Sequence, residues 1–247
     1  MNFSIIVPSK GRVEQLTELL STIIRCTNDL SQTEVIVTID TDEKQMESYT
    51  ELMNNYPGPK QFIIQEHCDN LNDGYYNMMA LKAHGKYIIA VNDDCVFGTV
   101  GWDEIILSAV KERKLEGKIC FLKTGGNGVA YHEGSYPPFP GLSKEAVQAM
   151  GFFHWPGIWT WDADEVLWNA FHGLKNNYGH DRIVIVIDVA IQHLNAENHK
   201  YSEPNLSYEE TTNNMIRNYN KGDCGKDFHH YPQMISLLNN GIKKENA

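Results

Sequence analysis

The sequence is short of cations, of paired cysteines and of long apolar runs, and each shortage removes a class of protein. Only 21 Lys and Arg stand against 32 Asp and Glu, a formal charge of −11. The general basic footprint that holds nucleic acid or anionic lipid is therefore missing, and a polyanionic partner would need a local basic patch. Cys26, Cys68, Cys95, Cys120 and Cys224 are odd in number and scattered, with no C-x-x-C pair. That pattern argues against a disulfide framework or structural zinc, and for reduced thiols in the cytoplasm. The most apolar run, Ile183 to Ile191, is broken by Asp188 and is too short to span a bilayer; no basic leader precedes an apolar segment at the start. Gly125-Gly126-Asn127-Gly128 fits neither the G-x-x-x-x-G-K-[ST] loop of nucleoside triphosphate sites nor the G-x-G-x-x-G of dinucleotide sites. Internal repeats and heptads are also lacking. A soluble cytoplasmic protein without a membrane span is the expectation.

What is present is an alternation of strands and helices. Phe3 to Val7 predicts a strand, and Val13, Leu16, Leu20, Ile23 and Ile24 predict the helix after it. Glu34 to Ile39 is β-branched and reaches Asp40, Met46 to Met53 carries the apolar spacing of a second helix, and Pro57-Gly58-Pro59 stops it. Gln61 to Gln65 predicts a third strand, Asp73 to Ala83 a third helix closed by Gly85, and Lys86 to Val91 a fourth strand running into Asn92-Asp93-Asp94. Such repeated units imply an α/β fold with a mainly parallel, doubly wound sheet. Beyond Asp94 the pattern predicts a helix from Asp103 to Lys114 and a strand near Ile119 to Leu122. A glycine- and proline-rich loop through Pro137-Pro138 and Pro140 follows, read as a mobile wall. Then come a short helix from Ser143, a helix from Asp162 to Gly173 and a last strand from Arg182 to His193. The polar tail is expected to hold helices at Tyr208 to Tyr219 and near Pro232 to Leu238.

A doubly wound sheet binds ligands at the carboxyl ends of its strands. Ser9 to Arg12, Asp40 to Asp42 and Asn92 to Asp94 all follow strands, so they should share one rim. One such aspartate is ordinary turn chemistry; three loops in order point to a site. Arg12 and Lys200 are the isolated cations best suited to meet an anionic ligand, although a lone surface cation is usually just solvated. Trp155, Trp159 and Trp161 lie close together beside Pro156-Gly157, which suits an exposed aromatic platform as well as a core.

In this order the segments resemble glycosyltransferase family 2 and the wider GT-A fold, over about Phe3 to Leu194. Ile5-Ile6-Val7-Pro8-Ser9 with Arg12 looks like that family's opening strand and loop, and Val35 to Asp40 looks like the strand ending in a uracil-binding aspartate. Asn72-Asp73-Gly74 through Gly85-Lys86-Tyr87-Ile88-Ile89 to Asn92-Asp93-Asp94 resembles its helix, glycine, strand and acidic D-x-D series, with Asn92 where the first acid usually stands. The resemblance implies donor contacts from Pro8, Ser9, Arg12, Asp40, Asn72, Gly74, Asn92 and Asp93. It also implies Mn²⁺ or Mg²⁺ on Asp94 and His193, with His199 as the fallback ligand. Ser143 to Phe153 followed by Trp155 to Glu165 resembles the acceptor-side loop and acidic helix start, which makes Asp162 the catalytic base, with Trp161 in place of the usual preceding acid.

The chemistry asks for these groups. A departing nucleotide diphosphate develops negative charge that a hard cation stabilises, and an inverting transfer needs one carboxylate to take the acceptor proton. The expected enzyme is a hexosyltransferase using a nucleotide-sugar donor, UDP-linked by resemblance, and a carbohydrate or other hydroxyl acceptor. Its domain spans residues 1–194, with 1–98 as the nucleotide-binding half and 99–194 as the acceptor-side half, and a helical tail, 195–247, packs on it. Two other readings are a nucleotide-sugar-binding module that no longer catalyses and a sugar nucleotidyltransferase. The latter would want more basic residues than Lys10 and Arg12 in the first loop.

Overall fold

Alternation along the first strand decides the layering. In β1 (Phe3–Pro8), Phe3, Ile5 and Val7 enter one apolar core and Ile6 enters another on the opposite face, as the two-residue period of a strand requires. β2 (Thr33–Asp40) repeats this, with Val35, Val37 and Ile39 on the first side and Ile36 on the second. A sheet buried on both faces needs helices on both.

The computed structural model describes residues 1–126, 137, 139–158, 163–194 and 231–246. Against the first core lie α1 (Val13–Cys26) and α2 (Met46–Asn55). After β3 (Lys60–Gln65), a π-helical turn at Asn72–Asn77 runs into α3 (Met78–Lys82), which covers the second face before β4 (Tyr87–Ala90). β5 (Cys95–Phe97), α4 (Trp102–Glu112), β6 (Phe121–Gly125), β7 (Pro140–Ser143), α5 (Lys144–Met150), α6 (Ala163–Tyr178), β8 (Ile183–His193) and α7 (Tyr231–Glu245) complete the described elements. The strand order is β3-β2-β1-β4-β7-β6-β8-β5. β1, β2, β3, β4, β6 and β8 run one way, and β5 and β7 run against them. The mainly parallel α/β sheet expected from the sequence is present.

Several boundaries differ from the expectation. In α1, Leu19 joins Leu16, Leu20 and Ile23 in the core while Ile24 is exposed, because Ile24 falls outside the stripe those four share. The third helix opens as the π-helical turn, and the strand placed near Ile119 is Phe121–Gly125. Part of the proline-rich loop is β7, inserted antiparallel between β4 and β6. β8 keeps one path past Asp188 by a register irregularity opposite Thr124 and Gly125. The predicted helix at Tyr208 to Tyr219 lies outside the described residues; the one near Pro232 is α7, which packs on α5 and α6. Among the described residues no helix is long and apolar enough to cross a membrane.

Candidate active site

β1 and β4 are neighbours although β2 and β3 lie on the other side of β1, so the strand order reverses between them and leaves a crevice at their carboxyl ends. The Ser9 to Arg12 loop and the Asn92 to Asp94 segment meet across it. Ser9 Oγ donates to Asp93 Oδ2 at 2.7 Å and lies 2.8 Å from the Tyr49 hydroxyl. Arg12 Nη1 reaches Asp93 Oδ1 at 3.2 Å and Asp94 Oδ2 at 3.5 Å. Asp93 is buried, and burial pushes its carboxyl up to about 6 against the opposing pull of Arg12 and Ser9. With both oxygens engaged, Asp93 ties the two loops together.

Asp94 differs. Its Oδ1 is closed off from water and has no hydrogen-bond partner, yet His193 Nε2 stands 3.4 Å away. Cross-strand pairing of β8 with β5 delivers that histidine, with Cys95 opposite His193, and Phe139 packs edge-on against its ring. Asn92 Nδ2 lies 2.8 Å from His193 Nε2, and the Tyr76 hydroxyl lies within reach of both Asn92 Oδ1, at 2.9 Å, and Val91 O, at 3.1 Å. A buried carboxylate oxygen without a hydrogen bond beside an imidazole nitrogen is a donor set that suits a divalent cation, and Asp94 and His193 fit one by this test. Cys95 Sγ belongs to the same cluster, all ligand atoms lying within 4.8 Å of one another, but burial pushes its thiol well up, which keeps it protonated.

Asp40 ends β2 with both oxygens in use. Tyr75 donates to Oδ1, and Lys10 Nζ and His67 Nδ1 each lie 2.8 Å from Oδ2. Burial alone would raise this carboxyl; the hydrogen bonds from Lys10, Tyr75 and His67 hold it below its ordinary value, and the same contact raises His67. A base meeting Asp40 would have to share or displace Lys10 or His67. Pro8, beside it, pairs with Thr38 at the end of the β1 ladder.

Asn72 and Gly74 lie in the π-helical turn. Asn72 is buried and donates to Ile158 O at 2.7 Å, and a Cβ on Gly74 would fall 2.4 Å from Cys68 Cβ. Both positions therefore have a packing role. Trp155 is half-buried and stacks edge-on against Phe152. Asp162, Trp159, Trp161, His199 and Lys200 lie outside the described residues; Ala163, the first residue of α6, directly follows Asp162 in the chain.

The structure thus gathers Ser9, Arg12, Asn92, Asp93, Asp94 and His193 at one crevice, with Asp40 on the same rim. It adds Lys10, Tyr49, His67, Tyr75 and Tyr76, which sequence reasoning did not single out. Lys10, Tyr75 and Tyr76 sit inside segments already flagged, so proximity to a strand-end loop was a usable signal. Tyr49 lies inside the Met46 to Met53 segment, where its spacing marks it as helix core, and nothing in the sequence around His67 points to the site.

No protein-family model matches the chain, and no curated protein sequence does. Solved structures do. S. aureus TarS residues 1–349 aligns over 98% of this chain and 71% of its own, at 15% identity and a TM-score of 0.62; it has also been solved with UDP and with UDP-GlcNAc. The mannosyltransferase PcManGT from Pyrobaculum calidifontis, in complex with GDP-Man and Mn²⁺, covers 98% of this chain and 74% of its own at 12% identity and a TM-score of 0.58. GalNAc-T7 with UDP, GalNAc and Mn²⁺ covers 78% and 44% at 13% identity and a TM-score of 0.56. The fold is that of GT-A glycosyltransferases.

Proposed function

We propose that this chain moves a sugar from a nucleotide diphosphate donor, with a UDP-sugar as the first candidate, to a hydroxyl acceptor, with metal dependence and inversion at the anomeric carbon. The observation that carries the reading is the facing pair Asp94 Oδ1 and His193 Nε2 at the strand-order reversal. The similar structures solved with UDP, UDP-GlcNAc or GDP-Man, two of them with Mn²⁺, support it.

Asp94 and His193 would hold Mn²⁺ or Mg²⁺, which when bound offsets the charge gathering on the leaving diphosphate. Arg12, held beside Asp93 and Asp94, adds a fixed guanidinium to the same region. Ser9 and Asp93 fix that loop, and Asp40 with Lys10, His67 and Tyr75 forms the polar wall for the base. Asp162 takes the proton of the acceptor hydroxyl as that oxygen attacks the anomeric carbon from the face opposite the phosphate. A reducing, cytoplasmic setting belongs to the same proposal, supported by the free thiols of Cys26, Cys68, Cys95 and Cys120.

The test is a screen of nucleotide sugars for thermal stabilisation with and without Mn²⁺, followed by product analysis. A UDP-sugar should raise the melting temperature only with metal, and an α-linked donor should yield a β-linked product. No stabilisation by any nucleotide sugar would sink the reading. The binding-module alternative draws on Asn92, whose amide serves Tyr76 and His193 where an acid would serve a metal. Donor stabilisation without any donor hydrolysis would favour it.

A further inference from the structure

The π-helical turn at Asn72–Asn77 faces three ways. Tyr75 reaches Asp40 and Tyr76 reaches Asn92, both at the crevice. The remaining polar side chains grip a different stretch, the loop that follows α5. Asn77 is buried and uses its whole hydrogen-bonding capacity, three bonds to that loop and one to Asp73. Its Oδ1 accepts from Phe153 N at 2.8 Å and His154 N at 2.7 Å, and its Nδ2 donates to His154 O at 2.9 Å and to Asp73 Oδ1 at 3.1 Å. Asp73 Oδ2 in turn accepts from Gly157 N at 3.0 Å. A loop with no ladder of its own is thus held by side chains more than seventy residues away. A wide helical turn brings Asp73 and Asn77 onto the same side, and such turns recur at functional sites.

This loop runs in sequence straight toward Asp162. We propose that Asn77, seated by Asp73, is a positioning residue for the acceptor: it fixes the main chain of residues 153–158 relative to the crevice, and so sets how the acceptor hydroxyl meets the donor. The inference rests on the transferase reading above. It adds a division of labour, in which one side of the turn serves the donor groups and the other serves the acceptor loop.

The experiment compares wild type with Asn77→Ala, Asp73→Ala and Asp73→Asn. Donor affinity is measured with UDP and Mn²⁺; UDP release to water and glycoside formation are followed separately with the UDP-sugar selected by the screen. Asp73 is exposed, so its variants fold even if Asn77→Ala does not. The alanine variants should keep UDP affinity and release to water within about threefold, while glycoside formation falls roughly 10–100-fold with a rise in acceptor KM, the scale of a small misplacement. Asp73→Asn keeps one acceptor oxygen, enough for either Gly157 N or Asn77 Nδ2 but not both, and should restore the transfer only in part. Transfer that is unchanged in Asp73→Ala, or that falls only in step with UDP affinity, overturns the positioning role. If wild type itself binds no UDP in Mn²⁺, the transferase reading fails first and is identified as the failure.

Discussion

Asp94 carries an unusual cost for a small side chain. A buried carboxylate oxygen without a hydrogen bond is worth roughly 1–3 kcal/mol of lost stability, and Oδ1 is in that position. Asp94→Ala should therefore leave the melting temperature in chelator unchanged or higher, while abolishing stabilisation by Mn²⁺ with nucleotide; calorimetry under both conditions checks this. Asp93 offers a pH test. Its carboxyl stands at about 6 against an ordinary 3.8, so between those values the native state binds more protons than the unfolded state. Its contribution is complete below about pH 4 and is lost as pH rises through 6, by at most about 3 kcal/mol. Urea unfolding of the metal-free protein should show that fall in wild type and a flatter profile in Asp93→Asn. For Asp162 the informative change is to Asn, which can still accept a hydrogen bond but cannot take a proton; donor affinity should persist while transfer falls by roughly 10²–10⁴-fold. Steady-state kinetics with the selected donor would show it, and full activity would move the base elsewhere. The acids at the strand ends were legible because a short apolar run followed by Asp has few readings. Their partners were not. Lys10 and His67 from two loops and Tyr75 from the π-helical turn converge on Asp40, and only the strand order brings those segments together.

At the scale of elements, the regular βα units were readable and the irregular ones were not. β5 has three residues and β7 four, two of them Pro140 and Gly141, too short for any period to emerge and, in β7, composed like a turn. The π-helical turn shares the apolar spacing of an α-helix over so few residues that sequence cannot separate them. Gly85 closes the third helix in the sequence pattern, and its surroundings give it a stricter duty. A Cβ there would lie 2.5 Å from Phe3 C and from Ser4 N, and its N–H donates to Ser4 Oγ at 2.8 Å. Backbone cannot move aside as a side-chain tip can. Gly85→Ala should cost on the order of 1–3 kcal/mol or more, seen as a lower urea midpoint, and because β1 begins at that contact the loss should extend to nucleotide binding.

Across the whole molecule, α7 closes the second core far from the crevice. Met234, Leu238 and Ile242 are fully buried against α5 and α6, and Arg182 Nη1 pairs with Glu245 Oε2 at 3.0 Å. Leu238→Ala should destabilise by about 2–5 kcal/mol without altering nucleotide affinity at temperatures where the protein stays folded; thermal melts beside UDP titrations would separate the two. The place of β7 has a further consequence, in time. β4 ends at Ala90 and its outer neighbour begins at Pro140, so during synthesis the edge of β4 waits for about 50 more residues, a few seconds at roughly 5–20 residues per second. For that interval the nascent sheet β3-β2-β1-β4 shows Ile88 and Ile89 on an open edge, the kind of surface that pairs with a neighbouring chain. The growing polypeptide is most open to mispairing between the emergence of Ala90 and that of Ser143, after the first four strands have been made and before β7 can cover their edge.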